Sequence, residues 1–260
     1  MNDTIWQIIQ NQPIAEGIFE MLLHTDDFSH WTNFQPGQFV HVRVPNAPQL
    51  LLRRPLSVHE TNPKHCAIVL QYAVVGAGTQ ALSQLGEGEV LTAVGPIGRG
   101  FPVDPSARRI WLLGGGIGVA PLYTLIQAMP KAEYTAFLGY RDGEHVYGLT
   151  QWERAADVRL YTDDGSQGIC GFAMDGLMKA METERPDVMY ACGPTPMLRA
   201  LAQSQDRLPV PCYVSMEERM ACGIGACLVC TCRTQTPEGV KNKRVCVDGP
   251  VFDLKEVDFA

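Results

Sequence analysis

A chain of 260 residues, 46% hydrophobic and 19% charged, is long enough to bury substantial cores and to form two or three domains. Its formal net charge of −7 argues against a nucleic-acid partner, whose phosphates demand a basic surface. The opening MNDTIWQIIQNQ has no basic stretch followed by an apolar one, and the most apolar run, Ile110 to Tyr123, is broken by four glycines and a proline, short of the roughly 18–20 residues that span a bilayer. The expected setting is the cytoplasm, without membrane contact. In a reducing compartment, nine cysteines point to metal binding, catalysis or burial rather than to disulfides.

From Ile5 to about Phe101, short β-forming runs alternate with Pro/Gly turns: IAEGIFEMLLH, GQFVHVRV, HCAIVLQYAVV and EVLTAVGPIG. This spacing predicts an antiparallel barrel or sandwich. Two spots in it carry chemistry. Arg53 and Arg54 stand beside a rigid extended turn at Pro55-Leu56-Ser57, where guanidinium groups can grip a pyrophosphate and the Ser57 hydroxyl can address the edge of a flat ring. Paired arginines on a solvated surface are the alternative. Further on, a strand runs into Gly76-Ala77-Gly78-Thr79 and then a helical pattern, a place where backbone N–H groups can meet a phosphate. A glycine turn with Thr79 as N-cap explains the same residues.

From Arg108 to about Pro209 the texture changes to alternating strands and helices. RRIWLLGGGIGVAPLYTLIQAM reads as a buried strand, a glycine loop and a helix with Pro121 in its first turn. Strands at YTAFLGY, VRLYT and DVMYACG and helices at MDGLMKAME and PMLRALAQS complete a parallel sheet covered on both faces. Ligands on such sheets bind at the carboxyl ends of the strands, where GGGIGVAP and ACGPTP fall. The familiar GxGxxG fingerprint is absent, because its third glycine position is Val119 or Pro121. What remains is a phosphate cradle of a different kind, or tight strand–helix packing.

The cysteines at 222, 227 and 230 are separated by four and then two residues, and Cys246 follows after fifteen more. That is the spacing of plant-type [2Fe–2S] ligands. Gly223 and Gly225 fall where the chain must curl around an anionic centre and bring its amides near sulfur. Zinc competes for Cys227 and Cys230 as a CxxC, but a zinc ribbon needs a second close pair and Cys246 stands alone. Cys232 is spare, and Cys66, Cys170 and Cys212 read as buried small hydrophobes.

Taken together, MEERMACGIGACLVC and VCVDGPVFDLKEV, the two most specific segments, with RRPLS, GAGT, GGGIGVAPL, TDDGS and ACGP in their usual order, make the chain resemble the electron-transfer subunits of class 1B dihydroorotate dehydrogenase, within the ferredoxin reductase superfamily. The likeness runs from the first barrel strand to the end. It implies an FAD-binding β-barrel over 1–101, an α/β NAD-binding domain over 102–210 and a small [2Fe–2S] domain over 211–260. Arg54, Pro55, Leu56, Ser57, Gln71, Tyr72, Ala73, Gly78 and Thr79 would then hold FAD. Ala73 departs from relatives that carry arginine after the tyrosine, which removes a side-chain phosphate contact. The resemblance puts Gly114, Gly115, Gly116 and Gly118 near the phosphates of NAD(H), and Cys192, Gly193 and Pro194 near its nicotinamide, with Cys192 either functional or packing at a strand end. Cys222, Cys227, Cys230 and Cys246 would ligate the cluster.

NAD(H) exchanges a hydride, two electrons at once, whereas a [2Fe–2S] cluster takes one, so FAD between them makes a two-to-one converter. The resemblance further implies an FMN-containing catalytic subunit as partner, in a heterotetramer of two copies of each chain, with dihydroorotate oxidised on the partner in pyrimidine biosynthesis. No acid–base constellation stands out on this chain. The rival readings are the small subunit of NADH-dependent ferredoxin:NADP⁺ oxidoreductase or sulfide dehydrogenase and, in another class, a zinc-binding interaction module.

Overall fold

The computed structural model describes residues 3–259. The chain starts with β1 (Asp3–Ala15) and β2 (Ile18–His24), a hairpin turned at Glu16 and at Gly17, whose φ of 66° lies in the left-handed region that glycine adopts freely. IAEGIFEMLLH is therefore the end of β1, the turn and all of β2 rather than one run. β3 (Phe39–Arg43), β4 (Arg54–Asn62), β5 (Ala67–Ala73), the helix α1 (Ala77–Ser83) and β6 (Val90–Ile97) follow. The six strands close into an antiparallel barrel in the order β1-β2-β5-β4-β3-β6. Alternation does the sorting: Trp6 and Ile8 of β1 and Val40 and Val42 of β3 fill the barrel with Met21, Val58 and Leu70, while Ile5 and Ile9 face out.

The second half supplies β7 (Arg109–Gly115), α2 (Val119–Ala128), β8 (Glu133–Tyr140), α3 (Leu149–Glu153), β9 (Asp157–Thr162), β10 (Ile169–Cys170), α4 (Ala173–Ala180), β11 (Val188–Cys192) and α5 (Thr195–Gln203). After these come β12 (Cys212–Ser215), β13 (Thr231–Thr236), β14 (Gly239–Arg244) and β15 (Val251–Asp253). Seven strands form one sheet in the order β10-β9-β8-β7-β11-β12-β15, parallel except for β15, which pairs antiparallel with β12. Ile110 and Leu112 of β7 point to one face, under Leu122 and Leu125 of α2 and Trp152 of α3. Trp111 and Leu113 point to the other, where Leu177 of α4 and Leu201 of α5 join Cys230, Val245 and Cys246. The cysteine-bearing segment is thus built onto the nucleotide sheet, and two of the sheet's strands come from residues after 210.

Three local expectations change. Arg54-Pro55-Leu56-Ser57 opens a strand rather than a turn, because β3 pairs with all four residues and β5 takes up the other side of the same strand from Val58 onward. Cys170 is exposed, as its two-residue strand lies at the sheet edge, and Cys66 is half-buried in a left-handed turn with φ 48°. Cys212 is buried as expected.

Candidate functional site

The β3–β4 ladder sets Val40 against Leu56 and Phe39 against Ser57. Leu56 and Val40 are buried with the barrel core, so alternation turns Pro55 and Ser57 outward toward the nucleotide domain. There a cavity of about 260 Å³ opens. Pro55, Leu56, Ser57, Gln71, Tyr72, Ala73 and Thr79 line it from the barrel, Ile117 from the glycine loop, and Ser215, Met216, Glu217, Glu218 and Met220 from the stretch before the cysteines, with Phe39 and Pro250.

These walls fit a flat, partly polar ring. Gln71 is buried, and its Nε2 donates to Glu20 at 2.8 Å, yet its Oε1 meets no partner. A buried acceptor left unmet is costly unless a ligand donor meets it. Tyr72 is committed elsewhere: its hydroxyl donates to Asn11 Oδ1 at 3.0 Å, and burial raises its pKa. Arg54 and Gly78 do not line the cavity but pack on each other, the guanidinium lying where a side chain on Gly78 would project. Thr79 Oγ1 accepts from the N–H groups of Val75 (3.0 Å) and Gly76 (3.3 Å), so Gly76, not Thr79, is the helix N-cap. Arg53 points away, paired with Asp3 at 2.8 Å, so the two arginines do not act as one grip.

At the nucleotide end, β7 and β11 run side by side with Gly114 opposite Cys192. A Cβ on Gly115 would come within 2.8 Å of Pro194 Cδ, and one on Gly114 within 2.7 Å of the Val119 side chain. Tight packing therefore accounts for Gly114 and Gly115 and, through its contact with Gly193, for Gly118. Gly116 differs: its φ is 53°, nothing lies within 4 Å of its missing Cβ, and Tyr147 donates its hydroxyl to the Gly116 carbonyl at 3.2 Å. That leaves one open glycine on a pinned loop, which suits close approach of a phosphate. Cys192 is buried and does not line the cavity; burial raises its pKa, with the charge of Glu217 acting the same way. Ser215, opposite Cys192 on β12, lines the cavity in its place. Glu217 faces the cavity, and desolvation raises its pKa.

The cysteine loop is shaped by its glycines. Gly223 and Gly225 adopt φ of 68° and 80°, and a Cβ on Gly225 would come within 2.6 Å of Val247. The turns aim amides at sulfur: Cys222 Sγ accepts from Ile224 N–H at 3.5 Å and Cys227 N–H at 3.4 Å. Burial raises the Cys222 pKa, but these amides and the Cys227 thiol outweigh it and bring it down to about 6. Thiolate is the form that ligates metal. Cys246 neighbours Cys230, and burial, then Cys230, pushes its pKa up to about 12. Cys222 with Cys227 and Cys230 with Cys246 make the nearest thiol contacts, and Cys246 also feels the charge of Cys222. Two thiol pairs with amides directed at sulfur fit a two-iron centre. Arg244 braces the loop, donating to Gly225 O at 3.2 Å and forking onto Asp248 at 2.9 and 3.2 Å. Cys232 is buried on β13, outside both pairs.

Comparison with known proteins agrees with this arrangement. Residues 217–258 match the iron-sulfur cluster binding domain of dihydroorotate dehydrogenase B, and residues 112–203 an oxidoreductase NAD-binding domain. Dihydroorotate dehydrogenase B (NAD(+)) electron transfer subunits from Shouchella clausii and from Geobacillus sp. strain WCH70 are 37% and 41% identical, each over 96% of both chains. One from Bacillus caldolyticus is 43% identical over 86% of both. The chain belongs to this family of electron-transfer subunits.

Among solved structures, that of an NADH-dependent reduced ferredoxin-NADP oxidoreductase superposes with a TM-score of 0.85 at 31% identity, over 98% of this chain and 90% of the other. Phthalate dioxygenase reductase shares the fold, with a TM-score of 0.67 at 18% identity over 95% and 94%. Within the family frame, the sequence-expected residues Pro55, Leu56, Ser57, Gln71, Tyr72, Ala73 and Thr79 meet in one cavity, and the glycine and ACGP loops meet beside it. Ser215, Met216 and Glu217 were not anticipated. Their signal was topological: β12 ends next to β11, so the residues following it reach the same carboxyl edge of the sheet.

Proposed function

We propose that this chain is the electron-transfer subunit of an NAD-dependent dihydroorotate dehydrogenase. It carries electrons between NAD(H) and the FMN of a catalytic partner subunit, in pyrimidine biosynthesis in the cytoplasm, within a heterotetramer of two copies of each. The observation that carries this reading is the single cavity whose wall is shared by the barrel strands, the glycine loop at Ile117 and the segment leading directly into Cys222. A ring held there would lie against the nucleotide loop at Ile117 on one side and the stretch from Ser215 to Met220 that leads into the cysteine loop on the other. The division into 1–101, 102–210 and 211–260 follows those three contributions, the last lending two strands to the sheet of the second.

When bound, FAD supplies the exchange between hydride transfer and one-electron transfer. The protein's part is placement. Pro55, Leu56, Ser57, Gln71, Tyr72 and Ala73 would hold the flavin ring, and Arg54 with Gly78 and Thr79 its phosphates. Gly114, Gly115, Gly116 and Gly118 would cradle NAD(H), whose nicotinamide would lie toward Cys192, Gly193 and Pro194. Cys222, Cys227, Cys230 and Cys246 would ligate the [2Fe–2S] centre, in two pairs. Among the described residues no helix is long and apolar enough to cross a membrane.

The 31% identity to the ferredoxin-NADP oxidoreductase structure supports a second, sister reading in which the partner differs. Anaerobic purification with flavin and iron analysis, followed by reconstitution with an FMN-containing dihydroorotate-oxidising subunit, tests the first reading. Dihydroorotate-dependent NAD⁺ reduction supports it. Colourless protein without flavin or iron, as a zinc module would be, contradicts both.

A further inference from the structure

Asn11 of β1 does not line the flavin cavity, yet its amide meets both ends of a unit that does. Its Oδ1 accepts from the Tyr72 hydroxyl at 3.0 Å, and its Nδ2 donates to the carbonyl oxygens of Leu82 at 2.9 Å and of Leu85 at 2.8 Å. The two ends of the amide cannot be exchanged. Both leucine oxygens only accept, so the NH₂ group must face them with one N–H to each, and the amide oxygen is left to the tyrosine hydroxyl. Tyr72 belongs to β5, Leu82 to α1, and Leu85 lies just past the end of α1. One side chain of β1 therefore closes residues 72–85 into a loop.

Between the two ends lie Ala73, Gly78 and Thr79. The link from strand to helix, 74–76, is tied by the Gly17 carbonyl and the Thr79 hydroxyl, but nothing packs on its tip: Val75 is 84% exposed and no atom lies within 4 Å of a Cβ on Gly76. A helix of seven residues is too short to hold itself in water, and its last carbonyls have no partner inside it. Its place is set from outside. Leu82 is buried in the barrel core, Arg54 packs on Gly78 near the start of the helix, and Asn11 takes the carbonyls at its finish. On the strand side, the Tyr72 ring is buried and stacks on Phe19 with centroids 5.9 Å apart.

We propose that Asn11 is a positioning residue of the flavin site, a clasp that holds the helix carrying Gly78 and Thr79 at a fixed reach from the ring-lining Tyr72 and Ala73 before flavin arrives. This rests on the flavin reading above. FAD engages both parts of the site, and a ligand that spans two subsites gains from the second only where the two are held at the matching separation. A helix left free to swing would have to be ordered on binding, at a cost in affinity. Asn11 acts only through Tyr72 and α1, so a ligand that uses the ring side alone should ignore the bonds Asn11 makes to the helix.

The test uses the full chain, stripped of flavin and titrated with FAD and with riboflavin, which has the ring but no phosphate, while flavin fluorescence is followed. Asn11→Asp keeps an acceptor for Tyr72 and loses both N–H donors to the helix. It should weaken FAD about tenfold and riboflavin by less than about threefold. Unchanged FAD affinity overturns the proposal. An equal loss for the two ligands overturns it as well, since that is what a general loosening of the barrel would give. Should the variant fail to fold, or riboflavin bind too weakly to titrate, amide hydrogen exchange on the flavin-free wild type decides. Protection over residues 77–85 that is already present without flavin supports a helix set in advance, and protection that appears only with FAD overturns it. Wild type that binds neither FAD nor riboflavin would fail the flavin reading itself, a different result from a flavin site that ignores Asn11.

Discussion

Gly118 and Gly193 touch backbone to backbone: a Cβ on Gly118 would lie 2.5 Å from Gly193 Cα and 2.6 Å from the Cys192 carbonyl oxygen. The glycine loop after β7 and the ACGP loop after β11 are thereby locked together, and with them the two faces between which a nicotinamide nucleotide would be gripped. Gly118→Ala should force them apart. The expected result is a KM for NADH raised about tenfold, the equivalent of 1.4 kcal/mol of lost binding, with FAD and iron contents unchanged. An unaltered KM would remove this contact from the nucleotide site.

Arg54 lies over Gly78 with no space for a side chain between them. Gly78→Val should displace the guanidinium, and Arg54→Ala should remove it. Hydrogen bonds to charged groups contribute about 1.5–3 kcal/mol, so either change should weaken FAD binding by about 10- to 100-fold. Dialysis followed by flavin fluorescence of the filtrate measures it. Full flavin retention in both variants would place the pyrophosphate elsewhere.

Cys227, a proposed ligand, and Cys232, the proposed spare thiol, differ in setting. Cys227 is exposed and its N–H reaches Cys222 Sγ, whereas Cys232 is buried on β13. Cys227→Ser should lose the cluster and block transfer to the partner while NADH still bleaches the flavin. Cys232→Ser should keep iron and inorganic sulfide at wild-type ratio. Iron analysis on both variants checks the assignment, and the reverse pattern would exchange the two roles.

Acid should loosen the joint between barrel and nucleotide domain. His59 of β4 is buried there, with Nδ1 3.1 Å from the Ala120 carbonyl, Nε2 3.2 Å from Gln151 Oε1 and its ring stacked on Tyr123 at 4.9 Å. Burial lowers its pKa, partly offset by these hydrogen bonds and by the charges of Glu20 and Glu60. The unfolded chain takes up a proton near pH 6.5 and the folded one only at lower pH, so stability falls as pH drops below about 6.5, by at most about 1.4 kcal/mol per pH unit for this proton. Urea midpoints at pH 7.5 and 5.5 should differ more for wild type than for His59→Gln. Equal differences would mean that His59 is not neutral in the fold.

Much of this architecture is legible in the residues themselves. Alternation predicted the barrel strands, and apolar runs followed by glycine predicted β7 and β11, because burial on one or both faces writes directly into sequence. The cysteine spacing needed no structure. Other features depend on contacts between distant segments. Arg53 and Arg54 look alike in sequence, yet the first, just before β4, pairs with Asp3 and the second, opening β4, packs on Gly78. Cys170 reads like Cys212, but a sheet edge exposes the first and the core covers the second. Ser215 and Glu217 carry no motif of their own, and they enter the cavity because β12 adds beside β11. His41 is one polar residue in an apolar run, and its place against Gly223 comes from the closing of the barrel on the cysteine loop.

The central claim is that two electrons from one nicotinamide reach the cluster singly through the flavin on this chain. Anaerobic titration with NADH, following flavin absorbance and the cluster's paramagnetic signal in the same samples, tests it most directly. The account predicts flavin bleaching together with a cluster signal of up to one spin per chain, and in Cys227→Ser the bleaching without the signal. Iron-containing, flavin-containing wild type whose cluster stays oxidised while its flavin is fully reduced by excess NADH would contradict it.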